Sequence, residues 1–136
     1  MKLNDHGFLS RDITIKDLIE VKSDEHHLFP QAFLKEHGLT RGQYNQIANL
    51  AITQSEINIA IGKKAPAVYF KEVIQQCQTG TKKYGNLETL TELAANREQN
   101  CIPDGMEAST ITDYGDFLAK RRQLMAKKMK TYFEGL

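Results

Sequence analysis

Helix-start signals follow one another so closely along this chain that little of it is left for strands. Pro30 suits the first position of a helix, where its missing N–H costs nothing, and Gly38 suits the position just past the end, giving a helix over 30–37. Thr40-Arg41-Gly42-Gln43 reads as a capping box that opens a helix to about Ala48, weakened by Gly42. Thr53-Gln54-Ser55-Glu56 reads as a second box, opening a helix to about Gly62. Between them only Leu50-Ala51-Ile52 remains for a strand, and its partner is the extended end of the Ile13–Val21 segment, near His26. Residues 28–48 are then a helical insertion between the two strands of a hairpin. The fold class is α+β and mainly helical.

The remainder of the chain reads as helices and loops. Pro66 starts a helix with Tyr69, Phe70, Val73, Ile74 and Cys77 at helical spacing, which is most simply core. Asn86 is expected to cap a helix to about Arg97 that buries Leu87, Leu90, Leu93 and Ala94. Residues 78–85 and 100–109 are loops. A last helix over about 112–134 carries an apolar stripe of Phe117, Leu118, Leu124, Met125, Tyr132 and Phe133. Residues 1–12 are polar apart from Phe8-Leu9 and read as a frayed or partner-dependent terminus. At 136 residues the chain is one domain, with a core over about 20–75 and a helical C-terminal part over 86–136.

Composition excludes some functions. A net charge of +1 gives no global attraction to nucleic acid, so any such attraction must be local. No apolar run approaches the roughly 20 residues of a membrane span, and the start has no apolar signal region. The reading is a cytoplasmic chain with no membrane partner. Cys77 and Cys101 form no Cys-x-x-Cys pair; free thiols are the expectation, and a disulfide between them is the alternative.

The chemistry-bearing residues gather on the hairpin. Glu25-His26-His27-Leu28-Phe29-Pro30 puts two imidazoles at the end of the first strand; Asn49 opens the second, and Asn58 lies in the first two turns of the helix that follows. A neutral imidazole with a pKa of about 6.5 can act as a general base or bind a metal, and two side by side can divide those jobs. Taken singly, each residue has a plainer reading: a satisfied polar His pair, a turn asparagine, a solvated helix asparagine. Their order and spacing favour a site. Successive strand residues point to opposite sides, so both imidazoles face one target only if the strand ends between them.

His-His-x-x-Pro, then Asn-Leu opening an apolar run, then Asn nine residues later on a helix resembles the His-Asn-His endonucleases with a ββα-metal core. More narrowly, Glu25 to Leu34 with Ser55-Glu56-Ile57-Asn58-Ile59-Ala60-Ile61-Gly62 and Ala65-Pro66-Ala67-Val68-Tyr69 is similar to the C-terminal nuclease domain of GmrSD-type, modification-dependent restriction systems. The resemblance covers roughly residues 20–75, and more weakly reaches Asp116-Phe117-Leu118 and Arg121-Arg122. It implies a ββα-metal nuclease hairpin embedded in a helical domain, and a metal-dependent DNA endonuclease serving anti-phage defence. In it His27 is the general base, Asn49 orients the loop around His27, and His26 and Asn58 are metal ligands. Two protein ligands leave room for waters and phosphate oxygens, which favours Mg²⁺ or Mn²⁺ and admits Zn²⁺. The family also implies a nucleotide-dependent, modification-sensing domain or subunit. No P-loop is present here, so that part is expected elsewhere, and a double-strand break needs two events or a homodimer.

Local charge supplies candidate nucleic-acid contacts at Lys63 and Lys64 after the metal helix, and at Arg121 and Arg122 on a basic ridge with Lys120, Lys127, Lys128 and Lys130. Two rival functions remain at this stage: a non-catalytic nucleic-acid or protein binding module with a degenerate site, and a protein whose His-Asn cluster holds a structural metal.

Overall fold

The computed structural model describes residues 5–20 and 23–136, apart from the side chains of Ile19 and Glu20. It is α+β and mostly helical. Helix α1 (Ile15–Glu20) leads to strand β1 (Ser23–His27), and the part of the first segment expected at Val21 lies outside the described residues. Helices α2 (Gln31–Glu36) and α3 (Arg41–Tyr44) and a 3-10 turn at Ile47–Asn49 separate β1 from β2 (Leu50–Gln54). The two strands pair antiparallel, with His26 opposite Ala51 and His27 opposite Leu50. Helix α4 (Ser55–Ile61) follows β2 without a loop; α5 (Pro66–Thr79), α6 (Leu90–Gln99) and α7 (Tyr114–Glu134) complete the domain. Among the described residues no helix is long and apolar enough to cross a membrane.

Several local expectations are corrected by tertiary contacts. The helix expected over 40–48 stops at Tyr44 because Asn45 leaves helical backbone geometry (φ −88°, ψ 64°), although the Thr40–Gln43 capping box forms. The second capping box does not form. Thr53 belongs to β2 and its hydroxyl donates to the Phe8 carbonyl (2.7 Å), so α4 starts at Ser55, behind a Gln54 that makes no side-chain cap. Asn86 does not cap α6 either. Thr89 does, in a box with Glu92, while Asn86 accepts from the Arg11 N–H (2.8 Å) and donates to Asp12 (3.0 Å). The helix expected to begin near 112 starts at Tyr114, behind a 3-10 turn at Ile111–Asp113.

The segment read as a frayed terminus enters the core. Phe8 and Leu9 are fully buried, and the Phe8 N–H donates to the Ile52 carbonyl (2.9 Å) beside β2. Leu9 holds a left-handed backbone (φ 62°), and Gly85 lies against it so closely that a Cβ there would stand 2.3 Å from the Leu9 carbonyl oxygen. Asn96 of α6 accepts from the Leu9 N–H (2.9 Å) and donates to the Gly7 and Ser10 carbonyls (each 3.0 Å), which ties this segment to the helix. The main core joins Phe8, Leu28, Phe29, Ile57, Ile61, Tyr69, Phe70 and Phe117 around the strand pair. Cys77 and Cys101 are both buried and free. The apolar stripe of α7 is only partly used: Phe117 and Leu118 are buried, whereas Leu124, Tyr132 and Phe133 are exposed.

Candidate functional site

Strand alternation places Asp24 and His26 on one face of β1, and the three-residue spacing of Ser55 and Asn58 places them together on α4. These faces meet. His26 Nδ1 stands 2.9 Å from Asn58 Oδ1. Asn58 Nδ2 donates to Asp24 Oδ2 (3.0 Å), and Ser55 Oγ donates to Asp24 Oδ1 (3.2 Å). His26 is 2 % exposed, its ring stacked on Phe8 at 5.5 Å and edge-on to Tyr69 at 5.7 Å. Asn58 and Asp24 are half-buried, so solvent reaches the pair from their side. Burial pushes the His26 pKa down to about 4, against the hydrogen bond to Asn58, which favours the cation; the ring is neutral at pH 7.

A neutral ring has one N–H for two partners. The Tyr69 hydroxyl donates to the Leu28 carbonyl, so toward His26 Nε2, 3.4 Å away, its oxygen is an acceptor. Without a cation, the better contact is Nδ1–H donating to Asn58 Oδ1. With the proton on Nε2 instead, facing Tyr69, the Nδ1 lone pair and the Asn58 Oδ1 lone pair point at each other. Neighbouring ligands of an octahedral ion with bonds of about 2.0–2.1 Å stand about 2.9–3.0 Å apart, so the observed spacing fits an oxygen–nitrogen pair sharing one Mg²⁺ or Mn²⁺. Among the described residues no group of three or more His, Cys, Asp and Glu side chains is arranged to hold a metal. A site here would be an imidazole and an amide completed by water or substrate oxygens.

His27, the next residue, has different neighbours. Its Nε2 lies 2.9 Å from Asn45 Oδ1, and its ring meets Tyr44 edge-on at 6.2 Å. Both histidines lie within the paired strand, so His26 faces α4 and α5 while His27, at the last strand position, faces the end of α3. Asn45 is a candidate that the sequence alone did not single out. Only its place beyond a prematurely ended α3 brings it to His27.

Asn49 is completely buried and brackets the turn after His27. Its Oδ1 accepts from the Phe29 N–H (2.8 Å), its Nδ2 donates to the Phe29 (3.1 Å) and Tyr44 (3.2 Å) carbonyls, and its own carbonyl accepts from the Leu28 N–H (2.8 Å). The Asn49 turn is itself held from behind. Arg121 Nη1 donates to the Ala48 (2.9 Å) and Leu50 (2.6 Å) carbonyls, and Nη2 donates to the Asn100 carbonyl (3.0 Å).

Arg121 is therefore not part of a basic ridge. It is fully buried, with its pKa brought down by burial to about 10, and a guanidinium so placed does not meet a phosphate backbone. Arg122 is exposed and donates to Gln46 Oε1 (3.1 Å), close in sequence to Asn45. Lys63 is exposed. Lys64 pairs with Glu72 (3.3 Å) and donates to the Tyr84 hydroxyl (2.6 Å). Of the other ridge cations, Lys120 pairs with Asp116 (2.9 Å) and Lys128 with Asp5.

Comparison with known proteins leaves the site to its geometry. No family model matches the chain, and no solved structure matches it. A stretch of 54 residues, 40% of the chain, is 35% identical to part of an uncharacterized protein of Methanocaldococcus jannaschii. The match spans 9% of that protein's length.

Proposed function

We propose that this chain is a metal-dependent DNA endonuclease of the His-Asn-His type, in which β1, β2 and α4 form the ββα-metal hairpin. The observation that carries the reading is the 2.9 Å approach of His26 Nδ1 and Asn58 Oδ1 across the strand–helix junction, one residue from a half-exposed imidazole. His26 and Asn58 would hold a divalent cation, Mg²⁺ or Mn²⁺ by preference and Zn²⁺ as a further candidate. When bound, the cation supplies charge neutralisation at the phosphate and stabilises the departing oxygen.

The protein's own residues supply the rest. His27 Nε2–H donates to Asn45 Oδ1, so Nδ1 keeps its lone pair and can take a proton from an attacking water. Asn49 fixes the Leu28–Phe29 backbone through its bracket and so fixes where the His27 ring stands. Because His26 and His27 use opposite faces of the strand, the phosphodiester must lie across the end of β1 to meet both. In-line attack would leave 5′-phosphate and 3′-hydroxyl ends. Exposed Arg122 and Lys63 are the candidate contacts to flanking phosphates. In this reading the domain is a restriction effector in the cytoplasm, directed by a nucleotide-dependent sensor of modified DNA in another domain or subunit, and a double-strand break uses two copies.

Nicking of supercoiled plasmid with Mg²⁺, Mn²⁺ or EDTA, beside the His27→Ala variant, tests the proposal. Metal-dependent relaxation that falls by about 10²- to 10⁴-fold in His27→Ala, with folding and DNA binding kept, is the expected result. Equal cleavage by the variant removes His27 from the chemistry. DNA binding without nicking on plain or modified plasmid assigns the chain to the non-catalytic binding modules instead.

A further inference from the structure

We propose that Asp24 is the positioning residue of the His26–Asn58 pair, holding the Asn58 amide with its oxygen turned toward His26 Nδ1. The proposal rests on the reading of His26 and Asn58 as cation donors. It adds a residue to which the resemblance gives no role.

An asparagine amide has a donor end and an acceptor end, and half a turn about its terminal torsion exchanges them. Only one of the two orientations offers a lone pair to a cation. An ionised carboxylate can only accept, so Asp24 Oδ2, 3.0 Å from Asn58 Nδ2, binds the nitrogen end alone. The oxygen end is left facing His26. Rotating the amide would set Oδ1 against the carboxylate and leave the half-buried Asp24 without its amide donor. Asp24 is in turn fixed through its other oxygen by Ser55 Oγ (3.2 Å), the first residue of α4. The chain of contacts therefore runs Ser55, Asp24, Asn58, His26, and it crosses between α4 and β1 three times. Asp24 meets the amide at its nitrogen, so its effect on a cation at the oxygen passes through Asn58. Groups of this kind around metal ligands commonly change metal affinity by about 10–100-fold when removed.

Mn²⁺ binding to the full chain, followed by electron paramagnetic resonance and calorimetry, tests this with Asp24→Ala, Asp24→Asn and Ser55→Ala. Asp24→Ala is expected to weaken Mn²⁺ about 10–100-fold. Asp24→Asn keeps an oxygen that can accept from Asn58 Nδ2 but can also turn its own nitrogen end to the amide, so it should recover part of that loss. If the carboxylate acted only by its charge, Asn would be as poor as Ala, and the proposal would be overturned. Ser55→Ala leaves β1 intact and should cost several-fold in affinity, so it decides the matter if Asp24→Ala fails to fold. Unchanged affinity in these variants, or no Mn²⁺ binding by the wild type, also overturns it. The two readings separate cleanly: Mn²⁺ binding that follows Asp24 without plasmid cleavage sinks the nuclease and keeps the positioning role. Metal-dependent cleavage with affinity indifferent to Asp24 does the reverse.

Discussion

The folded chain keeps His26 uncharged down to about pH 4, whereas an unfolded histidine takes up its proton near 6.5. Between those values the unfolded state binds more protons, so stability rises with pH across the window. The contribution is complete above about pH 6.5 and is withdrawn as pH falls through 4, a loss on the order of 3 kcal/mol. Urea denaturation in EDTA at pH 7 and pH 5 should show the weakening, and His26→Phe should flatten that part of the profile. The burial that depresses the pKa comes from Phe8 and Tyr69, and the sequence signals neither of them as a neighbour. The histidine itself was legible as a candidate from its order and spacing. What its ring touches was not, because Phe8 lies in a segment that composition reads as a polar terminus.

At the scale of elements, the α7 guanidinium does what a surface reading of the same helix could not anticipate. Arg121 satisfies the carbonyls on either side of Asn49, and Asn49 in turn holds the backbone after His27. Arg121→Met should therefore leave buried carbonyls unpaired and cost about 3–5 kcal/mol in urea denaturation. Amide exchange at Leu28 and Phe29 should accelerate with it. If those amides stay as protected as in the wild type, the bracket stands without Arg121. The basic run Lys120-Arg121-Arg122 hid this because charged runs on a helix usually face water, and only the α7 packing against the Ile47–Asn49 turn turns the middle residue inward. The Thr53 box failed for a related reason: its hydroxyl found a tertiary acceptor in Phe8, and strand pairing claimed the backbone.

Over the whole molecule, charge is nearly balanced, and burial of Arg121 with pairing of Lys120 and Lys128 leaves the expected ridge depleted. Binding to a labelled DNA duplex should consequently show a shallow salt dependence, with a log–log slope of about −0.9 for each phosphate neutralised. Arg122→Ala should flatten that slope by about one contact in fluorescence anisotropy. A slope that Arg122→Ala and Lys63→Ala both leave alone removes these two residues from the interface. The far end of α7 contributes little to the core: Met129, Tyr132 and Phe133 are exposed, since the domain's apolar centre is already filled by the aromatic cluster of Phe29, Tyr114 and Phe117.

The balance of helix and strand, the two-stranded hairpin with its helical insertion, and the approach of His26 to Asn58 were legible in the sequence. Those follow from short-range causes: proline and glycine at helix ends, residues at periods of two and 3.6, and fixed spacings along the chain. The tertiary structure alone decided which atoms face which. It set Asp24 on the Asn58 nitrogen, Asn45 on His27, Tyr69 behind His26 and Arg121 under the Asn49 turn. Each of those contacts joins different elements and is held by burial, where an unpaired polar group costs more than a short-range preference can offset.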